Sequence, residues 1–141
     1  MSAKRCKECP EGTFRPAPFP GPRCATHHRS RRKEAKLTAH ESYVRRTYQM
    51  FPGEYDRLYE FQGGACYICQ RAKGISRKLA VDHDHSCCPT TPTCGECTRG
   101  LLCSMCNKLL GHVRDNPDAL FRGGAYLVSP PMKRMREAER G

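Results

Sequence analysis

Leu37, Val44, Tyr48 and Phe51 share one helical stripe, spaced seven, four and three residues apart. A helix is therefore predicted over residues 29–50, its remaining surface dominated by Arg29, Arg31, Arg32, Lys33, Lys36, Arg45 and Arg46. Tyr55, Leu58 and Tyr59 mark one side of a second helix, which Gly63-Gly64 ends. Leu79-Ala80-Val81 and Gly100-Leu101-Leu102 read as two short strands by residue type. Ser104 is a helix cap ahead of Met105, Leu109, Leu110 and Val113, which recur at roughly helical spacing. Asp115-Asn116-Pro117 breaks that helix and opens the next, with Asn116 as cap and Pro117 in the first position. Leu120, Phe121 and Leu127 give this last helix an apolar side. Pro130-Pro131 is expected to end regular structure and leave MKRMREAERG as a mobile basic tail. The elements together predict a small α+β fold with flanking helices and little regular sheet.

Apolar burial alone does not hold such a chain together. Val, Ile, Leu and Phe fill only 20 of the 141 positions, and the formal net charge is +11. That balance would ordinarily predict disorder. The 11 cysteines and six histidines change the picture, because metal can replace a large core. Eight cysteines sit in four CxxC pairs: Cys6/Cys9, Cys66/Cys69, Cys94/Cys97 and Cys103/Cys106. A disulfide inside CxxC closes a tiny loop and stabilises little, whereas the same spacing sets two thiolates on one tetrahedral zinc. No apolar run approaches a membrane span, and none follows the charged start as a secretory signal would require. The expected compartment is a reducing cytoplasm, and the expected partner of so basic a chain is a polyanion.

Residues 1–28 form a candidate zinc knuckle with Cys6, Cys9, Cys24 and His27 as ligands, His28 being an equally placed alternative to His27. Residues 29–51 are a basic helical segment whose Arg31, Arg32, Lys33 and Lys36 suit a phosphate backbone. Cys66, Cys69, Cys103 and Cys106 make a closed four-thiolate shell, which is structural because it leaves no open coordination position. Cys87, Cys88, Cys94 and Cys97 lie between the two strands and either bind a further zinc or tighten a loop through thiol packing or oxidation. Val81-Asp82-His83-Asp84-His85 ends the first strand, and Asn107 directly follows the last shell cysteine. Asp82 and Asn107 offer hard oxygens suited to Mg²⁺ or Mn²⁺. His83 points away from Asp82 on an extended backbone, so one can hold a cation while the other handles a proton. Arg99, just before the second strand, is placed to reach a phosphate.

The set Cys66-Tyr67-Ile68-Cys69, Val81-Asp82-His83-Asp84-His85, Arg99-Gly100-Leu101-Leu102-Cys103 and Cys106-Asn107 closely resembles the phage recombination endonuclease VII family. That family belongs to the HNH, or His-Me finger, nucleases with a zinc-stabilised ββα-metal core. The resemblance covers residues 52–128 and leaves 129–141 as the tail. It implies a structural zinc at Cys66, Cys69, Cys103 and Cys106, a catalytic Mg²⁺ or Mn²⁺ at Asp82 and Asn107, and His83 as general base. His85 would bind or orient the scissile phosphate. It further implies cleavage of branched DNA such as Holliday junctions, leaving 5′-phosphate and 3′-hydroxyl ends, by a homodimer in the bacterial cytoplasm during phage recombination and packaging. Where the family carries a glutamate three residues past the metal-binding asparagine, this chain has Leu110, and His112 is the nearby polar alternative. The alternatives are an HNH nicking endonuclease without junction preference, and a non-catalytic zinc protein that binds nucleic acid.

Overall fold

The computed structural model describes residues 4–141. The chain divides into two compact units, residues 1–55 and 56–141. In the first, short antiparallel bridges pair Arg5 with Pro16 and Phe19 with Arg23, folding the proline-rich leader back on itself. Helix α1 then runs Ala25–Tyr48, starting earlier than the periodicity predicts because Cys24 serves as its N-cap. The predicted stripe is not a packed seam. Only Val44 is buried within α1, while Leu37 is 50% exposed and Phe51 lies beyond the helix at 73%. Phe51 leaves the stripe at Gln49, whose left-handed φ of 56° ends α1 and turns the chain sharply. Glu41 accepts the Gly53 N–H at 2.8 Å, and Tyr55 meets the His40 ring edge-on at 4.5 Å. Val44, Met50 and Tyr55 are the buried apolar residues of this end, and α1 from residue 29 to 39 stays in solvent.

Helix α2, Glu54–Phe61, begins at the end of the first unit and leads into the second. Strands β1 (Ala80–His83) and β2 (Thr98–Leu102) then form an antiparallel pair. A two-stranded sheet is marginal by itself and needs packing from outside. Gln62 supplies part of it: its amide accepts the Leu101 N–H at 2.7 Å and donates to the Leu101 and Ala65 carbonyls at 2.9 and 3.2 Å. Gly100 allows this approach, since a Cβ there would meet the Gln62 amide oxygen at 3.0 Å. Leu79, Val81, Leu101 and Leu102 are buried around it.

Helix α3, Ser104–His112, follows β2 directly. Its N-cap is Cys103 rather than the predicted Ser104, and the Cys103 sulfur accepts the Cys106 N–H at 3.5 Å. A thiolate can fill the capping role of an oxygen because it too is an anion facing the free N–H groups of the first turn. Helix α4, Pro117–Val128, opens as predicted, with Asn116 accepting the Asp118 and Ala119 N–H groups. Residues 131–138 correct the expected irregular tail, because Pro131–Ala138 form helix α5. Pro131 sits in the first turn, where the N–H it lacks would have had no helical partner. Neither α4 nor α5 has a buried residue. No helix among the described residues is long and apolar enough to cross a membrane.

Candidate active site and metal centres

Among the described residues, three groups of side chains converge tightly enough to hold metal ions. They are Cys6, Cys9, Cys24 and His27; Cys66, Cys69, Cys103 and Cys106; and Cys87, Cys88, Cys94 and Cys97. Within each group the ligand atoms all lie within 4.8 Å of one another. A tetrahedral zinc with sulfurs at about 2.3 Å sets those sulfurs about 3.8 Å apart. The observed separations are 4.0 Å for Cys9–Cys24, 3.9 Å for Cys69–Cys103 and 3.7 Å for Cys87–Cys94. Disulfides, at about 2.05 Å, are excluded by the same distances. The donor sets therefore fit zinc.

The choice between the two N-terminal histidines is decided by geometry. His27 Nδ1 lies 3.2, 3.6 and 3.4 Å from the sulfurs of Cys6, Cys9 and Cys24. His28 instead stacks on Phe19 at 4.4 Å.

Electrostatics within the groups points the same way. Burial raises the Cys6 thiol, yet the Cys24 backbone N–H and the His27 ring outweigh it and bring the thiol to about 6. Backbone N–H groups of Ala72 and Arg71 bring Cys69 to about 6, whereas burial and its neighbouring thiols push Cys106 up to about 12. In each of these two groups two thiols are lowered, Cys6 with Cys24 and Cys66 with Cys69, while burial and the neighbouring thiols raise Cys9 and Cys106, so the charge of the first thiolates resists the next. A divalent cation removes that conflict.

The second constellation lies at the end of the hairpin. β1 and β2 pair Asp82 with Gly100 but His83 with Thr98, so Arg99 is the extra residue of a bulge. Bulges re-aim side chains, and here the guanidinium lands on Asp82 with Nε and Nη2, at 2.8 and 3.1 Å. Arg99 also donates to Asp115 at 3.0 Å, and Asp115 accepts from His85 Nδ1 at 2.8 Å. Burial raises the Asp115 carboxyl, but His85 and Arg99 outweigh it and hold it below the usual carboxylate range. The Arg99 guanidinium is raised in turn, chiefly by Asp82.

His83 is buried, and its Nε2 faces the Cys88 carbonyl at 3.1 Å. A carbonyl only accepts, so Nε2 carries the proton and, in the neutral ring, Nδ1 keeps its lone pair. The His83 and His85 rings stand 4.6 Å apart. Asp84 closes a local turn by accepting both the backbone N–H and the hydroxyl of Ser86.

The structure thus brings Asp82, His83, His85 and Arg99 together, and adds Asp115. Asn107 rides on α3 one residue past Cys106, with its backbone N–H on the Cys103 carbonyl; no hydrogen bond joins its side chain to Asp82. A cavity of about 290 Å³ is lined by Asp82, Arg99, Asp115 and Leu110 among others. His112 is exposed in the last turn of α3, and Asp115 is the polar group that reaches the site from beyond that helix. Arg31, Arg32, Lys33 and Lys36 are exposed on α1, Arg31 pairing with Glu34 at 3.2 Å. By sequence alone Asp115 reads only as a helix breaker. The overlooked signal is an acidic residue at a turn that directly follows the cysteine-capped helix.

Fold and site together define a basic, cysteine-rich α+β protein with a histidine–carboxylate group at the end of a bulged hairpin. The chain belongs to the recombination endonuclease VII family, whose profile matches residues 41–129, and it is accordingly an endonuclease with DNA as its substrate. It is similar to the Gene 59 protein of Mycobacterium phage L5, 46% identical over 132 residues that cover 91% of this chain and 76% of the relative. The Gene 59 protein of Mycobacterium phage D29 is likewise 46% identical over 132 residues, covering 91% of this chain and 75% of that protein. No solved structure matches the chain.

Proposed function

We propose that the protein is a metal-dependent His-Me finger endonuclease that cuts branched DNA, leaving 5′-phosphate and 3′-hydroxyl ends. The observation that carries this reading is the buried His83, with its Nε2 on a backbone carbonyl and its β1 neighbour Asp82 opposite the bulge at Arg99. With Nε2–H committed to Cys88, Nδ1 is the base that takes a proton from the attacking water. Such help is worth roughly 10²–10⁴-fold in rate. His85, tethered to Asp115, is the group that binds or orients the scissile phosphate.

Asp82 and Asn107 would hold a hydrated Mg²⁺ or Mn²⁺, which supplies charge stabilisation at the leaving 3′-oxygen. Arg99 now occupies both Asp82 oxygens, and Asp115 offers it a second acceptor when the carboxylate is needed elsewhere. Zinc at Cys66, Cys69, Cys103 and Cys106 would clamp β2 and α3, and zinc at Cys6, Cys9, Cys24 and His27 would close the N-terminal knuckle. Arg31, Arg32, Lys33 and Lys36 would follow the phosphate backbone, with binding that weakens steeply in salt. A homodimer is supported by α4, which leaves Phe121, Tyr126, Leu127 and Val128 largely exposed. The phage relatives support action in the bacterial cytoplasm.

The Arg99 clamp on Asp82 also favours a second reading, a zinc-stabilised nucleic-acid binder without catalysis. Cleavage of a synthetic four-way junction and of a matched linear duplex, each with Mg²⁺ present or chelated, separates the readings. Paired symmetric cuts at the junction that need Mg²⁺ are expected. Equal cutting of both substrates would reduce the protein to a general nicking enzyme, and binding with no cutting would leave only the second reading.

A further inference from the structure

The loop between β1 and β2 carries a third group of four cysteines, and it is the loop that supplies the carbonyl facing His83. We propose that Cys87, Cys88, Cys94 and Cys97 bind a third zinc, and that this ion locks the Cys88 carbonyl onto His83 Nε2. The positioning half of the proposal rests on His83 being the general base; the metal half does not.

The loop is built as a small knuckle. Cys94-Gly95-Glu96-Cys97 turns through Gly95 at φ +88°, a left-handed conformation that glycine adopts without cost, and this brings Cys94 and Cys97 round to one side. The Cys94 backbone N–H donates to the Cys88 sulfur at 3.3 Å, the contact that charge-stabilised thiolates attract. Cys87 and Cys94 stand 3.7 Å apart, close to the spacing a tetrahedral zinc imposes. Adjacent cysteines are an awkward chelate, yet here Cys87 and Cys88 both reach the group, because the chain bends around the Asp84 carbonyl. That carbonyl accepts the N–H groups of both Cys87 and Cys88, at 3.2 and 3.0 Å.

The knuckle is fastened to the hairpin at two places. The Asp84 N–H donates to the Cys97 carbonyl at 2.9 Å, and Cys97 directly precedes β2. The Cys88 carbonyl meets His83. Little else holds this loop. Cys87 and Cys94 are exposed, and Cys97 and Thr93 are its buried members. An ion bound by four thiols therefore replaces apolar packing as the constraint on where the Cys88 carbonyl points. Binding needs no oxidant: zinc enters, the thiols release their protons to solvent, and four Zn–S bonds form.

The test loads the full-length chain with ¹¹³Cd²⁺ and compares it with the Cys87→Ser/Cys94→Ser variant, which alters only exposed ligands. Wild type is expected to give three cadmium resonances, two in the four-thiolate region and one in the region of three thiolates and a histidine. The variant should keep two, which also shows that it folds. Imidazole ¹⁵N spectra of the zinc proteins read His83 without any need for activity: the Nε2–H form should be fixed in wild type and averaged in the variant. In cleavage assays kcat should fall about 10–100-fold with KM unchanged within about twofold. Two resonances in wild type, or a Cys87–Cys94 disulfide in the reduced, zinc-loaded protein, would overturn the site. A third resonance whose loss leaves the His83 tautomer fixed would overturn the lock. If wild type cuts no DNA, the cadmium and imidazole arms still decide the proposal, while the nuclease reading fails separately.

Discussion

Two four-cysteine groups lie in the same unit, and they differ in reach and burial. Cys66, Cys69, Cys103 and Cys106 join a turn before the hairpin to the strand–helix junction after it, with 33 residues between Cys69 and Cys103. Cys87, Cys88, Cys94 and Cys97 stay inside one loop, with six between Cys87 and Cys94. Cys66 and Cys106 are buried, and both Cys87 and Cys94 are exposed. Closing the longer span restricts the unfolded chain more, by about 1 kcal/mol from loop length alone. The larger difference lies in what is lost with the ion. Without the first group β2 and α3 have few other reasons to stay together; without the second, only the loop that faces His83 is released. One group is built to make the fold, the other to aim a residue on it.

The largest expected effect breaks the first half of that contrast. Cys103→Ser removes a ligand while leaving an oxygen that can still cap α3, so loss of the ion alone should cost the hairpin unit its cooperative thermal unfolding, monitored by circular dichroism. Structural zinc in small domains contributes about 10–16 kcal/mol of binding free energy, enough to decide folding here. Cys94→Ser should leave the transition in place. Equal losses in both variants would abolish the distinction.

The second prediction isolates the residue that the exposed group serves. His83→Ala should lower the cleavage rate about 10²–10⁴-fold while the dissociation constant for DNA holds steady. A fall in DNA affinity of the same size would make His83 a binding group instead.

The third concerns the hairpin itself. Gln62→Ala strands the buried N–H of Leu101, frees the carbonyl of Ala65 and leaves the Leu101 carbonyl with the Tyr67 N–H, a cost of about 1–3 kcal/mol in chemical denaturation. Zinc content should not change, because no ligand is touched. Zinc loss accompanying the destabilisation would mean that the strand pair, rather than the thiolates, holds the first group together.

What the sequence reveals of this site follows the chemistry of each residue. CxxC spacing is local and metal-specific, so the cysteine groups are legible, and Asn116-Pro117 announces its cap by type alone. Arg99 illustrates the opposite case. Its contact with Asp82 depends on a bulge, which arises only when two strands are paired out of step. The α1 stripe fails for a related reason: periodicity shows which residues share a face, and Leu37 shows that a shared face need not find a partner. Pro130-Pro131 is ambiguous in isolation, since the residue that ends one helix also begins another.

Asp115 was hidden most completely, and it carries the smallest of the expected effects. Arg114 and Asp115 both take left-handed φ, 54° and 53°, a conformation that side chains other than glycine adopt at some cost. Such strain persists where the surroundings hold it, and here Arg99 and His85 grip the carboxylate. Asp115→Asn keeps the shape and removes the charge, so about 1 kcal/mol of stability should be lost at neutral pH. The sign with pH follows from the lowered carboxyl. A group whose folded pKa is depressed stabilises fully above its unfolded value, near 3.9, and ceases to do so as pH falls through the folded one. Denaturation at several pH values should therefore show the wild-type advantage shrinking only in acid below about pH 4. An advantage that grew on acidification would mean Asp115 is protonated more easily in the fold than in the unfolded chain. The Arg99 and His85 contacts would then be steric neighbours rather than charge partners, and the hairpin site would be organised by its loop alone.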